Sequence, residues 1–265
     1  MHTDEIYMKR CLELAALGLG KTYPNPMVGA VLVYKNKIIG EGWHQKAGEA
    51  HAEVHAIASV KDRSLLAKAT LYVNLEPCAH LGKTPPCASL IVKHKIPKVV
   101  VGCIDHFSKV SGKGIEMMRE AGISVTVGVL EKDCKESHKR FFTFHNNKRP
   151  YIILKWAETT DGFIAPLDQE KGKPFWITSP ESKKRVHKWR TEEAAILVGT
   201  KTVELDNPSL TARLWEGDQP LRVVIDKSIK LNSSLNAFND AAKTLVFTKE
   251  HIENTKTTTY QKINF

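Results

Sequence analysis

Three short pieces of the chain carry residue types that do metal chemistry: His51-Ala52-Glu53, Pro77-Cys78 and Cys87. One imidazole and two thiolates suit zinc, and three protein ligands leave a fourth position for a water. Two thiolates formally cancel the 2+ charge, yet zinc still brings the pKa of such a water down to about 7, which supplies hydroxide at neutral pH. Glu53 stands two residues from the ligand His51. It is close enough to touch that water without being a ligand itself. It would take a proton from the water and pass it to a ring nitrogen and then to a departing amine. A structural zinc site is the competing reading; it would want four protein ligands, with His80 as the fourth.

For these ligands to meet, they must sit at the ends of neighbouring elements. The pattern supplies such elements. Thr3 opens a helix in which Met8, Cys11, Leu12, Ala15 and Leu19 recur at helical spacing, until Gly18 and Gly20 end it. Val28 to Tyr34 and Ile38 to Trp43 read as a hairpin turning at Lys35-Asn36-Lys37. His51 and Glu53 open a helix that runs over Ala52 to Val60, and Cys78 follows a strand over Ala69 to Asn74. Pro86 fits the first turn of a helix beginning at Cys87. Lys98 to Cys103 is a nearly all-apolar strand, of the kind covered on both faces. Ile115 to Ala121 reads as a helix, Ile123 to Val129 as a strand and Leu130 to Phe144 as one further helix. Strands alternating with helices make an α/β layered domain that closes near Asn146-Asn147-Lys148, giving a first domain over 1–147 and a second over 148–265. In the second, Tyr151 to Ala157 reads as a strand. Thr178 and Glu181 form a capping box around Pro180, and strands follow at Ala195–Gly199, Leu221–Asp226 and Thr244–Thr248.

Composition bounds the function. The chain has 265 residues, 42% hydrophobic and 26% charged, which is globular and not disordered or fibrous. Its formal charge of +10 favours anionic partners, and both phosphorylated metabolites and nucleic acid qualify. No basic stripe interleaved with aromatics supports nucleic acid. No apolar run approaches the roughly 18–20 residues of a membrane span. The start, Met1-His2-Thr3-Asp4-Glu5, lacks the form of a secretory signal. Five sparse cysteines, Cys11, Cys78, Cys87, Cys103 and Cys134, then argue for reduced thiols and a cytoplasmic protein.

The spacing of the ligands narrows the chemistry. His-x-Glu followed by Pro-Cys is the signature of zinc deaminases. In cytidine and tRNA adenosine deaminases the two cysteines are two residues apart; here eight residues separate Cys78 from Cys87. The insert, Pro77-Cys78-Ala79-His80 followed by Gly82-Lys83-Thr84-Pro85-Pro86-Cys87, resembles the pyrimidine deaminases of riboflavin biosynthesis. So do Pro24-Asn25-Pro26-Met27-Val28-Gly29 and Gly42-Trp43-His44. That family is usually bifunctional. It deaminates 2,5-diamino-6-(5-phosphoribosylamino)pyrimidin-4-one and then reduces the ribosyl group with NADPH. The resemblance implies a cytidine-deaminase-like three-layer α/β/α domain, Zn2+ on His51, Cys78 and Cys87, and Glu53 as the proton shuttle. It also implies contacts to a phosphorylated aminopyrimidine from Asn25, His44, His80, Lys83 and Asp105, and assembly into a homo-oligomer. Asp105-His106-Phe107-Ser108 departs from the family, which usually follows this aspartate with a Pro-Asn pair. A nucleoside or tRNA base deaminase with an accessory domain is the alternative; the long insert and the second domain argue against it.

Residues 149–226 resemble the family's reductase half, which has a dihydrofolate-reductase-like α/β fold. The resemblance rests on the order of Arg149-Pro150-Tyr151, Leu154-Lys155-Trp156-Ala157, Asp161-Gly162, Trp176-Ile177-Thr178-Ser179, Ile196-Leu197-Val198-Gly199-Thr200, Asp206-Asn207-Pro208, Leu210-Thr211 and Arg213. It implies Ala157, Trp176, Thr178, Thr202 and Asp206 near NADPH, and Lys155, Arg190, Leu210 and Arg213 at the substrate. Four of them have a plainer explanation: capping for Thr178, core burial for Trp176, an exposed helix face for Arg190, a turn for Asp206. About 117 residues are short for this fold, and no Gly-rich phosphate loop is present in them, so the domain is expected to be incomplete.

Overall fold

A computed structural model describes residues 3–79, 85–105 and 112–265. The chain divides into two compact units, Met1–Ile152 and Ile153–Phe265, five residues beyond the boundary expected at 147/148.

The first unit is built on a five-stranded sheet. Strands β1 (Gly29–Tyr34) and β2 (Lys37–Trp43) form the antiparallel hairpin. Its two-residue turn places Lys35 and Asn36 at positive φ, the left-handed geometry that matches strand twist. Strand β3 (Thr70–Leu75) pairs antiparallel with β1; β4 (Lys98–Cys103) and β5 (Ser124–Val127) continue in parallel, giving the order β2-β1-β3-β4-β5. Alternation along β1 sends Ala30 and Leu32 to one face and Val31 and Val33 to the other. Against the first face pack α2 (Ala52–Ser59), α3 (Cys87–Lys93) and α4 (Lys113–Glu120), through Ala52, Ala56, Ile57, Ala88, Ile91 and Met118. Against the second pack α1 (Thr3–Ala16) and α5 (Glu131–Ser137), through Tyr7, Met8, Cys11, Leu14 and Cys134. This is the three-layer α/β/α arrangement that the sequence pattern and the resemblance predict. Gly42 is needed where α2 crosses β2: a Cβ there would stand 2.5 Å from Cβ of His55.

The expected single helix over Leu130–Phe144 is two, α5 and α6 (Lys139–Asn147), broken at His138. The His138 ring is buried and approaches Asn74 of β3, so the chain turns to bring it inward.

The second unit holds a four-stranded parallel sheet, β6 (Ala195–Gly199), β7 (Leu221–Ile225), β8 (Thr244–Thr248) and β9 (Thr258–Lys262), in that order. Helix α7 (Pro180–Glu192) precedes β6, and α8 (Thr200–Asp206) follows it. Its core is small: Val203, Val224, Ala237 and Val246, with Val198, Leu231, Leu235, Phe238 and Tyr260 packed around them. Arg222 is fully buried in β7 and donates to the carbonyls of Asn236, Asn239 and Ala242 and to Oδ1 of Asn239, closing the loop that leads into β8.

Three local expectations change here. Tyr151–Ala157 is not a strand; it has no ladder partner, and Leu154 and Trp156 are 78% and 63% exposed. Strand propensity describes fit to a pleated surface and cannot supply the neighbouring strand. The N-cap of α7 is Ser179, whose hydroxyl accepts the Ser182 amide with Pro180 in the first turn, so Thr178 is not the capping residue. And β9 falls in a polar, Thr-rich stretch in which no strand was expected.

Candidate active site

The three ligand residues arrive from three different places. His51 is the N-cap residue of α2, Cys78 follows β3, and Cys87 is the first residue of α3. His51 Nδ1 lies 3.6 Å from Cys78 Sγ and 3.3 Å from Cys87 Sγ, and all three ligand atoms fall within 4.8 Å of one another. Tetrahedral zinc with bonds of about 2.0–2.3 Å needs ligand atoms roughly 3.5–3.8 Å apart, so this donor set fits the ion. Hydrogen bonds from Cys87 and His51 hold the Cys78 thiol well below its ordinary value, and its neighbour Cys78 and burial drive Cys87 up. The Cys87 amide also donates to Cys78 Sγ at 3.4 Å. Shared donors thus hold negative charge where a cation would sit.

Glu53 lies in the first turn of α2 and is 3% exposed. Burial first, then the charge on Cys78, raises its carboxyl above the ordinary carboxylate range. That is what a group alternating between proton acceptor and donor requires.

His44 and Asn25 form a second cluster beside the ligands. The His44 ring lies edge-on to His51, with centroids 5.5 Å apart. Burial holds its pKa down, so the ring is neutral. Nδ1 is 3.0 Å from the Ala50 carbonyl, which only accepts, so Nδ1 carries the proton. Nε2 must then accept, and it takes the Asn25 Nδ2 donor at 3.0 Å. His44 therefore spends both ring nitrogens on protein partners. It fixes the amide of Asn25 rather than offering a free nitrogen of its own, and leaves Asn25 Oδ1 and one amide hydrogen for a ligand edge. Asp105 is 7% exposed at the exit of β4. His80 and Lys83 lie outside the described residues.

Two contributors escaped the sequence reading. Asn74 is fully buried at the end of β3; its Oδ1 accepts the Gly29 amide at 2.9 Å and its Nδ2 donates to the Met27 carbonyl at 3.1 Å. It pins the segment following Asn25 to the strand that leads to Cys78. Glu76, 4% exposed, accepts backbone amides two residues before that ligand. The available signal was a pair of polar residues, at 74 and 76, interrupting an apolar strand.

In the second unit, Arg190 is partly buried and donates to the Thr211 carbonyl at 2.8 Å. Burial, then the charge of Arg213, lowers its pKa; the same two arginines help hold His187 neutral, at about 4, behind the leading effect of burial. Two guanidinium groups whose charges act on one another make a place for an anion. Leu210 turns its side chain inward, at 5% exposed. Thr202 and Asp206 lie on α8, directly after the carboxyl end of β6, the edge at which parallel sheets take nucleotide cofactors. Asp206 Oδ1 accepts Gln169 Nε2 at 2.8 Å. A hydroxyl and a carboxylate are donor and acceptor types with which a nicotinamide carboxamide can pair. Lys155, Ala157, Trp176 and Thr178 sit on irregular chain, with Lys183 Nζ 3.8 Å over the Trp176 ring.

Comparison with known proteins agrees with both halves. Residues 1–103 match the cytidine and deoxycytidylate deaminase zinc-binding region, and residues 150–264 match the RibD C-terminal domain. The chain is 46% identical over 252 residues to the riboflavin biosynthesis protein RibD of Aquifex aeolicus, covering 94% of this chain and 69% of that one. It is 43% identical to RibD of Synechocystis over 94% of this chain and 67% of that one. Among solved structures, the Thermotoga maritima diaminohydroxyphosphoribosylaminopyrimidine deaminase/5-amino-6-(5-phosphoribosylamino)uracil reductase superposes with a TM-score of 0.90 at 43% identity, covering 98% of this chain and 74% of that one. With relatives this similar over nearly its whole length, and a zinc-type ligand set in the first unit, the chain belongs to the RibD family of riboflavin-biosynthesis deaminase/reductases.

Proposed function

We propose that the first unit hydrolytically deaminates 2,5-diamino-6-(5-phosphoribosylamino)pyrimidin-4-one to 5-amino-6-(5-phosphoribosylamino)uracil and ammonia. The observation that carries this reading is the convergence of His51, Cys78 and Cys87 beside a buried Glu53. Those three residues would hold zinc, which when bound supplies the Lewis acidity that makes water a nucleophile near neutral pH. Glu53 takes a proton from the attacking water and delivers it to the ring nitrogen next to the amino-bearing carbon. It then carries the second proton to the departing amine, so that the C–N bond breaks as the new carbonyl forms. Asn25, oriented by His44, presents a carbonyl acceptor and an amide donor to the pyrimidinone edge. The family resemblance adds His80, Lys83 and Asp105 as contacts to the same substrate.

The second unit would reduce the ribosyl group to ribityl. NADPH, when bound, supplies the hydride; Ala157, Trp176, Thr178, Thr202 and Asp206 hold it, while Lys155, Leu210 and the Arg190–Arg213 pair hold the phosphorylated substrate. A nucleoside or tRNA base deaminase would leave the second unit, with its match to the RibD C-terminal domain, unexplained.

The test is ammonia release by the zinc-loaded chain from the diaminopyrimidine phosphate, followed by NADPH oxidation once the deaminated product has formed. A zinc-loaded, folded chain that releases no ammonia rejects the first assignment; deamination without any NADPH binding rejects the second.

A further inference from the structure

The deaminase chemistry leaves Glu76 without a part, although it is one of the few buried acids of the chain. Its partners are backbone amides from two separate segments. Oε1 accepts the Gly114 amide at 3.0 Å; Oε2 accepts Gly112 at 3.0 Å and Asp105 at 3.3 Å. Gly112 is the N-cap residue of α4 and has no side chain with which to satisfy the first amides of that helix. Those amides need an acceptor when buried. Glu76 provides it from across the sheet, doing for α4 what an Asp or Ser at the N-cap does within a helix.

The same residue lies on the path to the ligands. The Glu76 amide donates to the Cys103 carbonyl at 3.0 Å, so the exits of β3 and β4 are joined by main chain as well. A Cβ on Gly114 would stand 1.9 Å from the Pro77 carbonyl oxygen, so the first turn of α4 rests directly on the peptide that leads into Cys78. One carboxyl group thereby joins the Cys78 arm, the exit of β4 at Asp105 and the start of α4.

We propose that Glu76 is a positioning residue of the deaminase site: by capping α4 from the end of β3, it fixes the backbone of Asp105 relative to the Cys78 arm. The inference rests on the deaminase reading and deepens it. Its consequence is selective. Glu76→Gln keeps the size and one acceptor oxygen, but turns a side-chain amide NH2 toward backbone amides that have only hydrogens to offer. Whichever position the NH2 takes, one side of the clamp loses its acceptor, either Gly114 or Asp105 together with Gly112, while Cys78 keeps its bonds to the Cys87 and Ala88 amides.

The experiment compares the zinc-loaded full chain with its Glu76→Gln variant in steady-state ammonia release, with zinc content and melting temperature measured alongside. The expected result is a KM raised about tenfold, a kcat within about threefold of the unaltered chain and one zinc per chain. A merely structural role would lower the melting temperature and leave KM alone, and that result overturns the proposal. If Glu76→Gln does not fold, Glu76→Asp carries the kinetic arm. Hydrogen exchange on the unaltered chain carries the structural arm: slow amides at Asp105, Gly112 and Gly114 support the cap, and fast ones overturn it. An unaltered chain that releases no ammonia rejects the deaminase reading instead, and the exchange measurement still decides whether the cap exists.

Discussion

Glu53→Gln is the substitution that separates proton transfer from every other property of the site. The amide matches the carboxyl in size, but it cannot take a proton from water and hand it on. Because Glu53 is buried and its carboxyl already resists ionisation, removing the ionisable group costs folding little. The ligand atoms of His51, Cys78 and Cys87 are untouched, so zinc content and melting temperature stay at their original values. The catalytic cost is large. Deamination asks the same carboxyl for two deliveries, one to the ring nitrogen and one to the amine. A positioned general acid–base group contributes about 10²–10⁴-fold to one transfer. Two transfers through one group put the loss in kcat at about 10⁴-fold or more, or roughly 5.5 kcal/mol of barrier. Glu53→Asp gives the intermediate value: it keeps the carboxyl but withdraws it by about one methylene, and a misplacement of about 1 Å costs about 10²-fold. The assay is ammonia release under saturating substrate, with zinc per chain determined on the same samples. A folded, zinc-loaded Gln variant within tenfold of the original kcat would refute Glu53 as the proton carrier. A Gln variant that loses its zinc would make Glu53 a ligand and refute the division of roles between it and His51, Cys78 and Cys87.

Three further outcomes follow from neighbouring geometry. His44→Leu frees the Asn25 amide to rotate and leaves the Ala50 carbonyl unpaired; kcat/KM for the diaminopyrimidine falls about tenfold, and an unchanged value would show that Asn25 needs no such support. Removing zinc with a chelator abolishes ammonia release and lowers the melting temperature of the first unit, while NADPH binding to the second persists; calorimetry with and without added zinc reads both. His138 makes the first unit acid-sensitive. Burial holds its folded pKa at about 4 against an ordinary 6.5, and its Nδ1 has no partner among the described residues. Below pH 6.5 the unfolded chain takes up a proton that the folded one refuses. Stability is therefore lost as pH falls from 6.5 towards 4, by about 3 kcal/mol in all, and then levels off. Denaturation across this range should be steeper for the unaltered chain than for His138→Phe; identical slopes would place the acid sensitivity elsewhere.

The ligand set was legible because each member lies in a short local pattern whose spacing reports its chemistry: His51 with Glu53 at a helix start, Cys78 after a strand, Cys87 behind a proline. The sheet of the first unit was legible for a similar reason, since apolar runs such as Val99–Val101 encode burial on both faces. Features that depend on a distant partner were not. The break between α5 and α6 arises because the His138 ring turns inward toward Asn74, 64 residues away in sequence. Tyr151–Ala157 has the composition of a strand, but composition does not name a neighbour. Ser179 caps α7 in place of Thr178 because one residue decides which hydroxyl meets the Ser182 amide, and a four-residue motif is too coarse to separate adjacent candidates. His44 could be placed near the site from its motif, but the tautomer that commits both nitrogens depends on the Ala50 carbonyl, which every residue type supplies.

The polar residues at 74, 76 and 78 show how these two kinds of information combine. They alternate with Leu75 and Pro77, the period of an extended chain, in which every second residue shares a side. Each reaches a different part of the site: Asn74 the backbone of Met27 and Gly29, Glu76 the amides of Asp105, Gly112 and Gly114, Cys78 the other ligands. Burying an amide and a carboxyl at the end of a central strand is costly unless each finds partners. The partners they find are the main-chain segments that carry the candidate substrate contacts. The expense of polarity in the core is therefore offset by the same hydrogen bonds that set the geometry of catalysis. A sequence comparison sees those bonds only from the β3 side, because their other ends are backbone groups with no residue identity.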